Sequence, residues 1–128
     1  MNTPTLTTQN GVDLAANLQG VHYCVDFHGC DPEELDNEAF LVGLLQRAAH
    51  KANATVLNTV SHKFQPQGVT ALLLLAESHM SIHTWPERGY ASVDVFTCGQ
   101  TMDPYTAVKT IKAELKSDEM KLVKVIRG

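Results

Sequence analysis

Residues 77–87 read Glu-Ser-His-Met-Ser-Ile-His-Thr-Trp-Pro-Glu and contain the densest group of side chains in this chain that could take part in chemistry. Two serines, two histidines and two glutamates stand between an apolar run at residues 69–76 and a turn at residues 86–90. A small domain rarely places so many hydrogen-bonding groups beside its core unless they have a use. The segment therefore predicts a functional site, and Ser78 is its candidate nucleophile.

The surroundings of Ser78 argue against the most familiar serine chemistry. No Gly-x-Ser-x-Gly motif surrounds it, so a serine hydrolase is poorly supported. A metal site is the main alternative of another class, because His79 and His83 lie four residues apart and further His, Cys and Asp residues alternate along residues 22–28. The sequence has no Cys-x-x-Cys pair and no helix-borne His pair, so we predict no metal ligands.

Composition excludes several classes of protein. The 128 residues are the size of one domain, and 44% hydrophobic residues can supply its core. A net charge of -4 argues against a nucleic-acid partner, and no run of about 20 apolar residues predicts a membrane span. Residues 1–10 lack a signal pattern, and the three cysteines lack the spacing of a disulfide framework. We therefore expect free thiols in a cytoplasmic protein.

Residues 1–18, rich in Thr, Asn and Gln, predict a mobile N-terminal extension before a single domain at residues 19–128. The first strand is expected at residues 21–28, where apolar and polar side chains alternate. Its two faces would carry different residues: Val21, Tyr23, Val25 and Phe27 on the buried face, and His22, Cys24, Asp26 and His28 on the other.

Two helices are predicted by matching start signals, Asp31-Pro32 and Asp103-Pro104, each followed by apolar residues at helical spacing. Further strands are expected at residues 55–64, 69–76, 90–97 and 120–126, which gives the order β-α-β-β-β-α-β. Successive strands with short turns favour an antiparallel sheet. The fold class is therefore α+β, a two-layer α/β sandwich with two helices on one face of the sheet and the other face available for a partner.

The string at residues 77–87 and the string Asp-Val-Phe-Thr-Cys-Gly at residues 94–99 resemble the self-processing segment of the prokaryotic-type, pyruvoyl-dependent S-adenosylmethionine decarboxylase proenzymes. The resemblance extends from about residue 20 to the last strand and includes Cys30-Asp31, residues 62–64 and residues 66–69. It implies that the chain cleaves itself between Glu77 and Ser78, which leaves chains 1–77 and 78–128.

The resemblance also assigns roles to individual residues. Ser78 Oγ would attack the Glu77 carbonyl, and elimination would convert position 78 into a pyruvoyl cofactor that forms a Schiff base with the substrate amine. His83 matches the base for processing, Cys98 matches the proton donor in turnover, and Thr70 supplies a processing hydroxyl where the family more often has serine. On a straight strand positions 78 and 83 face opposite sides, so we expect a bend or bulge between them, or His83 at the turn.

Substrate selection is implied by Phe64 and Trp85, which match rings that stack on adenine, and by Glu87, which matches a carboxylate that binds the ribose. The expected reaction is decarboxylation of S-adenosylmethionine, which supplies the aminopropyl donor for spermidine synthesis. A homodimer of processed protomers is also implied, with the active site near the interface. Two alternatives stay open: a decarboxylase of ornithine or arginine on the same scaffold, and a non-catalytic or metal-binding paralogue.

Overall fold

A computed structural model of the chain describes residues 20–98 and 101–128, so the predicted N-terminal extension lies outside the described residues. The described part contains six strands and three α-helices. In chain order they are β1 (Gly20–His28), α1 (Pro32–Leu35), α2 (Glu38–Lys51), β2 (Val56–Lys63), β3 (Val69–Leu75), β4 (Ser78–Trp85), β5 (Tyr90–Thr97), α3 (Pro104–Leu115) and β6 (Glu119–Arg127), with a short 3-10 helix at Pro86–Arg88 between β4 and β5.

The six strands form one antiparallel sheet in the order β2-β3-β4-β5-β1-β6. Strands β2 to β5 follow one another through short turns, and β1 lies between β5 and β6. Helices α2 and α3 contact each other and pack on one face of the sheet. The predicted α+β sandwich is therefore confirmed, with a helical layer on one side.

The element order differs from the prediction at two places. Residues 78–85, which we singled out for their polar groups, form strand β4, so the sheet has six strands where we predicted five. Met80 and Ile82 are fully buried and alternate with polar residues, which is the period of a half-buried strand. The polar residues Ser78 and Thr84 stand at the two ends of the buried face, and they concealed that alternation.

The first predicted helix is divided into α1 and α2 at Asp36. The Asp36 carboxylate accepts hydrogen bonds from Gly68 N at 2.8 Å and Lys63 Nζ at 3.1 Å, and these bonds lower the pKa of that carboxyl. Asn37 then starts α2, because its Oδ1 accepts from Phe40 N at 3.0 Å and so satisfies a free helix N–H. The bonds to Asp36 also tie the β2–β3 turn to this helix junction.

The core lies between the helices and the inner face of the sheet. A fully buried Val, Leu, Ile, Phe or Met side chain of this core is worth roughly 1.5–3 kcal/mol. The core includes the predicted stripe Leu41, Leu44, Leu45, Ala48 and Ala49 of α2 and the predicted face Tyr23, Val25 and Phe27 of β1. The outer face of the sheet exposes apolar side chains at its two flanks, namely Val60, Leu72, Leu74, Val123 and Val125. Among the described helices, none has the length and apolar character that crossing a membrane requires.

Candidate active site

The β3–β4 turn places the predicted cleavage position at the end of the sheet. Leu75 pairs with Ser78, so only Ala76 and Glu77 form the turn. Glu77 has a φ of 81°, in the left-handed region that residues with a side chain rarely adopt. A conformation of this kind costs of the order of 1–3 kcal/mol. Backbone strain is therefore held at the residue whose peptide bond to Ser78 is predicted to break.

The Ser78 hydroxyl is buried and, in the described part of the chain, has no hydrogen-bond partner. Ser78 is paired with Leu75 and Thr97, two residues of the inner face, so its register directs it toward the core side of the sheet. A buried hydroxyl without a partner costs about 1–3 kcal/mol. Such a cost is typical of a functional position, because a structural serine at a strand end would bond the nearby backbone.

Cys98 reaches the peptide that precedes Ser78. Its thiol donates to the carbonyl oxygen of Glu77, with Sγ and O 3.1 Å apart. This is the carbonyl that Ser78 Oγ would attack, and a donor on its oxygen withdraws electrons from the carbon. The predicted proton donor and the predicted cleavage site therefore lie together, in a contact that sequence spacing did not reveal. We call Glu77, Ser78 and Cys98 the cleavage end of the site.

The remaining predicted residues gather at the opposite end of β4. A cavity of about 380 Å³ opens between the β2–β3 turn and the last residues of β4. The side chains that line it include Phe64, Thr70, His83, Trp85 and Glu87. All three residues assigned to the substrate and both residues assigned to support of processing thus share one pocket, which we call the nucleoside end.

Thr70 and His83 are directly opposite each other across β3 and β4. Thr70 Oγ1 and His83 Nδ1 are 2.9 Å apart, a hydrogen bond that holds the imidazole in one orientation. When Nδ1–H donates to the hydroxyl, Nε2 keeps its lone pair and can accept a proton. The geometry therefore allows Thr70 to position His83 as a base, a role that a serine hydroxyl could fill equally.

Two further residues hold the aromatic side chains of this pocket. The rings of Trp85 and Tyr90 stack with centroids 5.0 Å apart, and Tyr90 donates its hydroxyl proton to Asp26 Oδ1 at 2.7 Å. Burial, with Asp26 as a second cause, raises the pKa of Tyr90, so the hydroxyl stays a donor. The His62 ring packs edge-on against the Phe64 ring, with the two ring centroids 4.5 Å apart. We did not predict Tyr90 or His62 as residues of the site. A hairpin that turns at residues 86–89 pairs Trp85 with Tyr90, and that pairing was a signal from which Tyr90 could have been found.

Buried hydrogen bonds fix the floor of the nucleoside end. Val69 N donates to Thr84 Oγ1 at 2.9 Å, and the Thr84 hydroxyl donates to the Leu35 carbonyl at 2.7 Å. Thr84 is 6% exposed, so its hydroxyl links β3, β4 and α1 away from water. Together with the bond from Gly68 N to Asp36, these contacts make the pocket a preformed cavity.

The two ends of the site lie far apart within one chain. Strand β4 includes His83 and pairs with both neighbours without a register shift, so the expected bend or bulge is absent from it and His83 does not lie at the turn. Five residues at about 3.3 Å each separate the two positions by roughly 16 Å. Their side chains also belong to opposite faces of the sheet. One described chain therefore holds both halves of the site and does not bring them together.

Comparisons with known proteins point to one family. Residues 21–128 match the S-adenosylmethionine decarboxylase family. The chain is 53% identical over 100 residues to the S-adenosylmethionine decarboxylase proenzyme of Parasynechococcus marenigrum, which covers 78% of each chain. It is 45% identical over 109 residues to the proenzyme of Caldicellulosiruptor saccharolyticus, which covers 85% of this chain and 88% of that one.

A solved structure agrees with the sequence relatives. The crystal structure of the adenosylmethionine decarboxylase from Aquifex aeolicus superimposes with a TM-score of 0.82 at 39% identity, over 87% of this chain and 92% of the other. The same family is indicated by the fold, by the sequence and by the residues around β4. The chain belongs to the S-adenosylmethionine decarboxylase family.

Proposed function

We propose that this chain is a proenzyme that cleaves itself at Glu77–Ser78 and that its mature form decarboxylates S-adenosylmethionine through a pyruvoyl group derived from Ser78. The observation that carries the proposal is the buried, unpartnered Ser78 hydroxyl beside a peptide whose carbonyl accepts from Cys98. A family whose relatives are named as proenzymes supports the same reading of that geometry.

Cleavage proceeds in steps whose bonds can be followed on this chain. Ser78 Oγ bonds to the Glu77 carbonyl carbon, its proton passes to the peptide nitrogen and the C–N bond breaks, which leaves an ester and a free amine on Ser78. His83, the proposed base, then takes the Ser78 α-proton and the Cβ–Oγ bond breaks, so Glu77 departs as a carboxylate and dehydroalanine remains. Water adds to that residue and ammonia leaves, which gives a pyruvoyl end. The strained turn and the Cys98 donor both favour the first step.

Turnover uses the same end of β4. The pyruvoyl group supplies an electron-withdrawing carbonyl that promotes loss of CO2 from a substrate bound through its amine. Cys98 lies at this end and is positioned to return a proton to the carbon that CO2 leaves. The same thiol would therefore serve two reactions in succession, first on the Glu77 carbonyl and then on the substrate.

The nucleoside end suits the other part of the substrate. Phe64 and Trp85 offer two aromatic faces, and stacking of a base on such side chains is worth about 1–3 kcal/mol per base. Glu87 offers carboxylate oxygens that accept from two ribose hydroxyls. Aromatic faces also attract a sulfonium cation. A substrate with an adenosyl group would use all three residues, whereas ornithine and arginine would leave them without a partner.

A homodimer completes the site in this proposal. Each reaction centre would take the cleavage end from one copy, with the Ser78 hydroxyl turned from the core side toward the outer face, and the nucleoside end with His83 and Thr70 from the other copy. Two observations support a second copy of this chain as the occupant of the outer sheet face. The roughly 16 Å between Ser78 and His83 leaves each chain with two half-sites, and the outer face exposes Leu72 and Leu74 at 39% and 53%. Packing two such faces together would remove apolar surface from water.

The test is mass spectrometry of the purified protein followed by measurement of CO2 released from labelled substrates. We expect two chains, residues 1–77 and 78–128, the second beginning with a pyruvoyl group and resistant to Edman sequencing. CO2 should be released from S-adenosylmethionine and not from ornithine or arginine. Release from either amino acid alone would move the chain to the alternative substrate class, and a single uncleaved chain would support a non-catalytic paralogue.

A further inference from the structure

A third group of polar residues lies on the outer face of the sheet and belongs to neither end of the proposed site. His22 and Cys24 come from β1, and Asp94 comes from the neighbouring strand β5. One imidazole nitrogen, the thiol sulfur and one carboxylate oxygen all lie within 4.8 Å of one another. All three residues are partly buried in one chain, and the second copy proposed for this face would cover them further.

The register of the sheet brings these three donors together. Cys24 and Asp94 are directly paired across β1 and β5, and His22 precedes Cys24 by two residues on the same face. His22 Nε2 and Asp94 Oδ1 are 2.8 Å apart, and Ser81 Oγ donates to the other carboxylate oxygen at 3.3 Å. The donors therefore converge because of strand pairing, and two of them already contact each other.

We infer that His22, Cys24 and Asp94 form a binding site for a borderline divalent transition metal such as Zn²⁺. Nitrogen, sulfur and oxygen donors from three side chains are the ligands that this ion prefers. Around a tetrahedral zinc ion the ligand atoms lie about 3.3–3.8 Å apart, as bond lengths of 2.0–2.3 Å require. Shifts of about 1 Å from the present arrangement would reach that geometry.

The fourth position of the site has a neighbour on strand β4. The ring centroids of His22 and His79 are 6.4 Å apart, and the Phe96 ring packs against both histidines. Either His79, after a change of side-chain rotamer, or a water molecule would complete the tetrahedron. On binding, the metal takes the place of the Cys24 thiol proton, which leaves to solvent, and bonds to a ring nitrogen that carries no proton.

A hydrogen-bonded cluster without metal is the alternative that the experiment must exclude. The purified full-length protein is stripped with a chelator and titrated with Co²⁺ as a spectroscopic substitute for Zn²⁺. We expect one ion per chain, a thiolate-to-cobalt charge-transfer band in the near ultraviolet, and displacement of cobalt by zinc. The measurement uses no S-adenosylmethionine, so its outcome is independent of the proposed decarboxylation.

Single variants assign the ligands. Cys24→Ser should abolish the charge-transfer band, and His22→Gln and Asp94→Asn should each weaken cobalt binding by at least about tenfold. Cys98→Ser is the matched control, because it removes another partly exposed thiol and should leave the band unchanged. Binding below one ion per chain, or a band that persists in Cys24→Ser, would overturn the assignment. If Cys24→Ser does not fold, unchanged affinity in a folded His22→Gln would overturn it equally.

Discussion

The two ends of β4 are built in different ways because they would act on different kinds of substrate. At the cleavage end the reacting groups belong to the chain itself, and a tight turn, a left-handed Glu77 and one thiol contact bring them together. The nucleoside end would receive a molecule from solution, and it has a preformed pocket lined by side chains from several elements. A tight turn and one contact therefore assemble the groups of the cleavage end, whereas packing of several elements forms the pocket of the nucleoside end.

Removing the nucleophile at the cleavage end should have the largest effect of any single substitution in the site. Ser78→Ala should leave a single chain of full length, because the hydroxyl that would attack the Glu77 carbonyl is removed. Denaturing electrophoresis and intact mass measure the result. Ser81→Ala is the matched control, since it removes another buried serine hydroxyl from β4 and should still cleave. Cleavage in Ser78→Ala would rule out the assignment.

The second test asks whether His83 of one copy acts on the cleavage end of a second copy. His83→Ala should slow cleavage by about 10²–10⁴-fold, the usual contribution of a general base. Mixing this protein with Ser78→Ala protein, after reversible unfolding to exchange subunits, should restore cleavage of the His83→Ala chains alone. Mass labelling of one variant identifies which chain is cut. Mixed dimers that form and stay uncut would show that His83 does not act on a neighbouring copy.

The third test separates the two roles of Cys98. Cys98→Ala should lower turnover of the mature enzyme by about 10²–10⁴-fold, because a positioned acid is lost. Cleavage should still reach completion, more slowly than in the parent, because the weak S–H donor to the Glu77 carbonyl is also lost. Time courses of cleavage and of CO2 release measure the two effects. A variant that stays uncleaved would contradict this division, as would full turnover.

A substitution among the ligand-binding residues of the nucleoside end should change kcat/KM rather than the rate of cleavage. Glu87→Gln keeps the shape of the side chain and removes its charge, and a hydrogen bond to a charged group is worth about 1.5–3 kcal/mol. The kcat/KM for S-adenosylmethionine should therefore fall by about one to two orders of magnitude, with cleavage unchanged. Glu119→Gln, an exposed charge change on β6, serves as the control. Slower cleavage in Glu87→Gln would show that this ligand-binding carboxylate also acts in cleavage.

The smallest expected effect concerns strain in the turn. Glu77→Gly removes the cost of the left-handed conformation, about 1 kcal/mol, and should slow cleavage by roughly fivefold. Glu77→Ala keeps a Cβ and therefore the strain, so it should cleave at nearly the parent rate. Rates from quenched samples distinguish the two. Equal slowing in both variants would assign the effect to the lost carboxylate, and strain would then have no part in it.

Local patterns predicted much of the fold because they depend on neighbours in the chain. The alternation in β1 placed Tyr23, Val25 and Phe27 in the core, and the residue pair Asp103-Pro104 marked the start of α3. Strand β4 was not predicted because Met80 and Ile82 are the only apolar residues of its buried face, and polar residues stand on both sides of them. The break at Asp36 was missed because it depends on bonds from Gly68 and Lys63, some thirty residues away.

The motifs of the sequence are enough to give the residue types of the site and the family, because both can be read from residues that are neighbours in the chain. How those residues are grouped in space depends on the strand pairing and packing of the folded chain. Strand register placed Thr70 beside His83, and the turn placed Cys98 on the Glu77 carbonyl. The same register holds Ser78 and His83 on opposite faces of an unbent strand, because side chains alternate along β-structure whatever chemistry they carry.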